Sequence, residues 1–118
     1  MTNASVCPKS LVLARPPPEI FATLSIFGGK WKVLTLWQLL RRPCRFNELR
    51  RAIPGVSQHM LTVTLRDLEN EHILVRTVFA EVPPRVEYAL TEHGKTLAHV
   101  MKALGDWGQV HLDARKND

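Results

Sequence analysis

Residues 47–68 read NELRRAIPGVSQHMLTVTLRDL, and this stretch decides the fold. Asn47 is suited to cap a short helix through Ile53, with Leu49, Ala52 and Ile53 turned inward and Phe46 packing at its start. Pro54-Gly55-Val56 breaks the chain, and Ser57 caps a second helix running to about His72. Leu61, Leu65 and Leu68 recur at helical spacing, while Gln58, His59, Thr62, Val63 and Arg66 project the other way. Two helices joined by a turn of about three residues containing Gly have the layout of a helix-turn-helix. An ordinary helical hairpin with one solvated side shares that layout, so the flanking sequence has to discriminate.

Upstream, Lys30–Arg41 (KWKVLTLWQLLR) is apolar nearly all round, with Thr35 and Gln38 the exceptions. Such a helix is buried on several sides and forms the centre of the core. Pro43 ends it. Before it, Pro18 opens a helix carrying Ile20, Phe21, Leu24 and Phe27, which Gly28-Gly29 stops. Residues 1–17 read as a loose arm containing Cys7-Pro8 and ending in a proline run. Downstream, Ile73–Phe79 and Arg85–Leu90 are β-rich, and Val86, Tyr88 and Leu90 alternate onto one side. Pro83 and Pro84 lack donors and cannot continue a ladder, so the two runs form a hairpin with a stiffened tip carrying Arg85. A hairpin directly after a helix-turn-helix is a wing, and it must lean on the helical core because a lone hairpin is only marginally stable. Thr91 caps a last helical region in which Leu97, Val100, Met101, Leu104 and Trp107 form an apolar stripe. The expected fold class is mainly α with a small antiparallel hairpin: one winged helix-turn-helix domain over 18–113, a polar tail over 114–118, and dimerisation through the two terminal helices.

Charge supports a nucleic-acid partner. The chain has 118 residues and a net charge of +5. Up to Arg66, ten Lys/Arg stand against Glu19 and Glu48; from Asp67 onward, six stand against nine acidic residues. Five arginines fall between Arg41 and Arg51. A localised positive field of this kind attracts an anionic partner, most commonly nucleic acid.

Other classes find little support. No apolar run approaches the roughly 20 residues of a spanning helix, and the apolar patch Leu11–Ala14, with only Lys9 ahead of it, is too short for the core of a secretory signal. The expected location is the cytoplasm, and membrane partners are not expected. The five histidines lack metal-ligand spacing. No phosphate-cradling glycine loop or nucleophile–base arrangement stands out, so neither an enzyme, nor a metal, nor a cofactor is expected. A winged-helix module for protein–protein contact is the competing class, but it calls for apolar or acidic residues on the outer face of 45–66, where this sequence is polar and basic.

The chain resembles the HxlR-type bacterial transcription regulators, a branch of the winged helix-turn-helix proteins. The likeness runs from about Gly28 to Trp107. It is carried by Gly28-Gly29-Lys30-Trp31, Arg45-Phe46-Asn47-Glu48-Leu49-Arg50-Arg51, Ile53-Pro54-Gly55-Val56-Ser57-Gln58 and Leu65-Arg66-Asp67-Leu68-Glu69. It continues through Val82-Pro83-Pro84-Arg85-Val86-Glu87-Tyr88, Leu90-Thr91-Glu92 and Asp106-Trp107-Gly108. The resemblance implies a homodimeric DNA-binding repressor or activator, its dimer built from the N- and C-terminal helices. Members often carry a Cys-Pro pair just ahead of the Gly-Gly-Lys-Trp block, and in some that cysteine senses oxidants. Cys7-Pro8 is the counterpart here, at a spacing lengthened by the proline run. Cys44 sits where the family usually has an aliphatic residue and reads as a core filler.

On this reading Ser57 to Arg66 enter the major groove of double-stranded DNA. Gln58 pairs with adenine, Arg66 reaches guanine or phosphate, and Thr62 meets a thymine methyl or a phosphate. His59 and Val63 share that face. Arg45, Arg50 and Arg51 position the module on the backbone, and Arg85 reaches out from the wing tip. Ile20, Leu24, Phe27, Leu97, Met101, Leu104 and Trp107 are the candidate dimer contacts. Cys7 is the candidate redox switch, with a small ligand at the dimer interface as the alternative effector.

Overall fold

The computed structural model describes residues 17–116. Helix α1 spans Pro18–Ile26, α2 Lys30–Arg41, α3 Phe46–Ala52 and α4 Gln58–Asn70; strands β1 (Leu74–Phe79) and β2 (Arg85–Leu90) follow, then α5 (Glu92–Lys95) and α6 (Leu97–Lys116). Leu36 and Leu39 of α2 meet Leu49 of α3, Leu61, Leu65 and Leu68 of α4, and Leu74 and Leu90 at the root of the hairpin in one buried cluster. Each such side chain contributes about 1.5–3 kcal/mol by leaving water. The expected inward stripe of α4 is therefore the middle of the core.

Thr35 is one of the two polar exceptions on α2. It is fully buried, and its hydroxyl donates to the Trp31 carbonyl at 2.7 Å, which removes the cost of burying it. Trp37, expected inside, is instead largely exposed.

The start of α3 also differs. The helix begins at Phe46, so the cap position is Arg45 rather than Asn47. The Glu48 carboxylate reaches back and accepts from the Arg45 N–H at 2.8 Å, satisfying a backbone donor at the helix start. Gly55 turns the chain at φ +82°, a conformation glycine adopts without strain. Ser57 then caps α4 as expected, its Oγ accepting from the Met60 N–H at 3.0 Å.

β1 and β2 pair antiparallel in the register Leu74–Leu90, Arg76–Tyr88 and Val78–Val86 on one face, with Phe79–Arg85 closing the tip on the other. The hairpin is also held by backbone to the helical half. The Cys44 N–H donates to the Tyr88 carbonyl at 2.9 Å, and the Tyr88 N–H donates to the Cys44 carbonyl at 2.8 Å. At the hairpin's other end, the Thr91 hydroxyl and N–H both bond the Ile73 carbonyl, and Gly94 of α5 lies directly against it.

From Leu97 a 20-residue helix runs away from this body. It continues through Lys116, so residues 114–116 of the expected tail are helical. A radius of gyration of 18.0 Å, against about 13 Å for a compact chain of this size, reflects that projecting arm.

Candidate nucleic-acid interface

The outer side of the helix-turn-helix is built by the same residues that build its core. Burial of Leu61, Leu65 and Leu68 forces Gln58, His59 and Arg66 of α4 into solvent, with Thr62 and Val63 half-buried beside them. The Ser57 cap leaves the exposed helix start ready for a phosphate oxygen. The Thr62 hydroxyl donates to the Gln58 carbonyl at 2.8 Å.

Arginines surround this edge, and their partners distinguish them. Among the described residues, Arg45, Arg50, Arg51 and Arg66 are exposed and have no carboxylate within 4.0 Å. Arg42 lies 3.5 Å from Glu48. The hydrogen bond from the Arg45 N–H, aided by Arg42, holds the Glu48 carboxyl below its ordinary pKa.

Arg85 does not stand free at the wing tip as its position in the sequence implied. Its guanidinium donates to Glu81 and Glu87, each at 3.0 Å, and lies 3.9 Å over the Phe79 ring. Hydrogen bonding to Glu81, with Glu87 adding to it, holds this guanidinium protonated even more firmly than usual. Between the tip and the start of α3 opens a polar cleft of about 830 Å³, with Arg45 and Arg51 on one wall and Glu81 and Arg85 on the other.

The candidate dimer contacts divide into two groups. Phe27, Leu97 and Met101 pack against the chain's own core. Ile20, Leu24, Leu104 and Trp107 are each more than half exposed. Phe21, Val110 and Leu112 share that exposure and were missed by the sequence reading. For Phe21 the signal was present in the α1 pattern; Val110 and Leu112 lie past the stripe that ended at Trp107. Trp107 stacks on His111 at a ring separation of 5.0 Å, which leaves most of its surface uncovered.

Cys44 is buried, and desolvation pushes its thiol pKa upward, in keeping with a core filler. Cys7 lies outside the described residues. No helix among the described residues is long and apolar enough to cross a membrane.

A family profile described as HxlR-like helix-turn-helix matches residues 26–116. The chain belongs to this family. Its HxlR-like sequence is 47% identical over 91 residues to the HTH-type transcriptional regulator YdeP of Bacillus subtilis strain 168, covering 77% of this chain and 71% of YdeP. Among solved structures, the redox regulator HypR in its reduced form superposes with a TM-score of 0.77 at 41% identity, covering 86% of this chain and all of HypR. The reduced form of the transcriptional regulator YodB from B. subtilis gives 0.73 at 35% identity, covering 79% of this chain and 91% of YodB. The architecture of the HxlR-like chain is thus that of winged-helix transcription regulators, a class of DNA-binding proteins and not of enzymes.

Proposed function

We propose that the chain is a homodimeric, sequence-specific DNA-binding regulator whose α4 lies in the major groove of its operator. One observation carries this reading: four exposed arginines, without carboxylate partners among the described residues, lie on and ahead of a helix whose inner stripe is buried and whose outer edge is polar. Gln58 and His59 face base edges, with Val63 against a base methyl; Thr62 and Arg66 reach a base or a phosphate, and Arg45, Arg50, Arg51 and the Ser57 helix start hold phosphates. A protein-docking module presents apolar or acidic groups in that place, so the arginines favour DNA over it. The exposed apolar residues of α1 and α6 supply the dimer contact. A two-fold dimer then reads a pseudo-palindrome whose half-sites lie ~34–36 Å apart or a multiple of that. Such a regulator works on the chromosome, in the cytoplasm.

An oxidant is the effector this reading favours over a small interfacial ligand, because the similar HypR is named a redox regulator and YodB has been solved after diamide treatment. Of the two cysteines, Cys7 is the candidate. The core position of Cys44 and its raised pKa disfavour the thiolate that oxidation requires. A peroxide takes two electrons from the thiolate to leave a sulfenic acid, which condenses with a second thiol to a disulfide with loss of water.

Footprinting on the DNA upstream of the chain's own gene tests the proposal. The expected result is one protected stretch with two-fold symmetric halves. Diffuse protection that follows no sequence contradicts it.

A further inference from the structure

The hairpin carries two arginines in very different circumstances. Arg85 is committed to Glu81 and Glu87. Arg76, in the middle of β1, is exposed and has no carboxylate within 4.0 Å among the described residues. Its register partner is Tyr88, on the same hairpin face that carries Leu74 and Leu90 into the core. Across from that pair lies the edge of α4 formed by Thr62, Leu65, Arg66 and Glu69, which follow at helical spacing. The two elements enclose an open cleft of about 280 Å³ lined by these six residues. Glu69 offsets one of the two guanidinium charges, leaving a net positive cleft. Burial raises the Tyr88 pKa, so at neutral pH its phenol remains a hydrogen-bond donor.

The place of this cleft identifies its ligand. Thr62 and Arg66 belong both to the cleft and to the edge of α4 that faces the major groove. In a duplex, the backbone strand bordering the groove that holds a helix also borders the neighbouring minor groove, towards which a wing extends. That strand has to cross between α4 and the hairpin, where the cleft opens. We infer that the cleft seats one backbone phosphate of the DNA, with Arg76 and Arg66 as its two cations, Tyr88 as a neutral donor, and Arg76 rather than Arg85 as the wing's contact. This rests on the DNA-binding reading above, and it adds two contacts that reading lacks.

Fluorescence anisotropy of the full chain on a duplex from its own upstream region, across a salt series, tests it. Replacing one phosphate-binding cation lowers the slope of log K against log salt by about 0.9. Arg76→Gln is expected to show that drop and to weaken binding on the order of tenfold, equally on native and scrambled duplexes. Arg76→Lys is expected to restore the slope, because it keeps the charge. Tyr88→Phe is expected to weaken binding without changing the slope, and Arg85→Gln to leave the slope unaltered. Arg76 is exposed, so its variants should keep the wild-type melting temperature, which separates a lost contact from a lost fold. Wild-type binding with an Arg76→Gln slope equal to it would overturn the phosphate seat and leave the DNA reading standing. A wild-type chain that ignores DNA at low salt would overturn both.

Discussion

Replacing Gly94 by alanine should destabilise this protein, although the same change in most helices does the reverse. Alanine is favoured over glycine in a helix interior by about 1 kcal/mol. Gly94, however, is buried in α5, and a Cβ there would overlap the backbone carbonyl of Ile73. That oxygen is not at liberty to retreat. It accepts from the Thr91 N–H at 3.0 Å and from the Thr91 hydroxyl at 3.2 Å, and Ile73 immediately precedes the first strand of the wing. Overpacking against a fixed neighbour costs about 1–3 kcal/mol, and loosening the two hydrogen bonds adds about 1 kcal/mol each. After the helix-propensity gain, Gly94→Ala should lose about 2–4 kcal/mol. At about 4–8 °C per kcal/mol for a domain of this size, the melting midpoint falls by about 8–32 °C. Thermal unfolding followed by circular dichroism, with wild type and variant at one protomer concentration, reads this directly. An unchanged or higher midpoint would refute the packing of α5 against the root of β1.

Four further expectations follow from the same geometry. Arg66→Ala should weaken operator binding on the order of tenfold with the dimer intact, as read by anisotropy and sedimentation; unchanged affinity would remove Arg66 from the reading face. Trp107→Ala should raise the dimer dissociation constant on the order of tenfold or more, and an unaltered sedimentation mass at low concentration would count against the terminal-helix interface. The Glu48 carboxyl is held below its ordinary value of 4.5, so its stabilisation is full above that pH and is lost as pH falls through the lowered value. The acid limb of a melting-temperature profile should therefore be shallower in Glu48→Gln, and coincident limbs would contradict the back-bonded helix start. Finally, Cys7→Ser should abolish release from DNA by oxidants while Cys44→Ala preserves it; the opposite pattern would move the switch into the core.

Much of this architecture was legible because it is written in periodicity and punctuation. Leu61, Leu65 and Leu68 place the inner face of α4, Ser57 its start, and Pro43 and Pro54-Gly55 the breaks around α3. The features that escaped are those in which chain segments distant in sequence meet. The Cys44–Tyr88 bridge is made of backbone groups, which carry no residue signature. The Arg45 start of α3 was readable in principle from Glu48 at the third helical position, but the strong capping preference of Asn47 competed with it. The pairing of Arg85 with Glu81 and Glu87 depends on how the tip folds over Phe79, and Arg76 comes to line a cleft with Thr62 and Arg66 only when β1 is laid beside α4. The fate of the terminal stripes followed from their apolarity only in part: Leu97 and Met101 turned inward, while Leu104 and Trp107 stayed exposed on the same helix.

The most direct test of sequence-specific DNA binding is anisotropy of the wild-type chain with a labelled duplex from its own upstream region, against a scrambled duplex of equal length, across a salt series. Affinity for the native duplex at least about 10³-fold tighter, falling steeply and log-linearly with salt, is the predicted result. Equal and weak binding to both duplexes would contradict sequence-specific recognition at this region, and no binding even at low salt would contradict a DNA-binding role altogether.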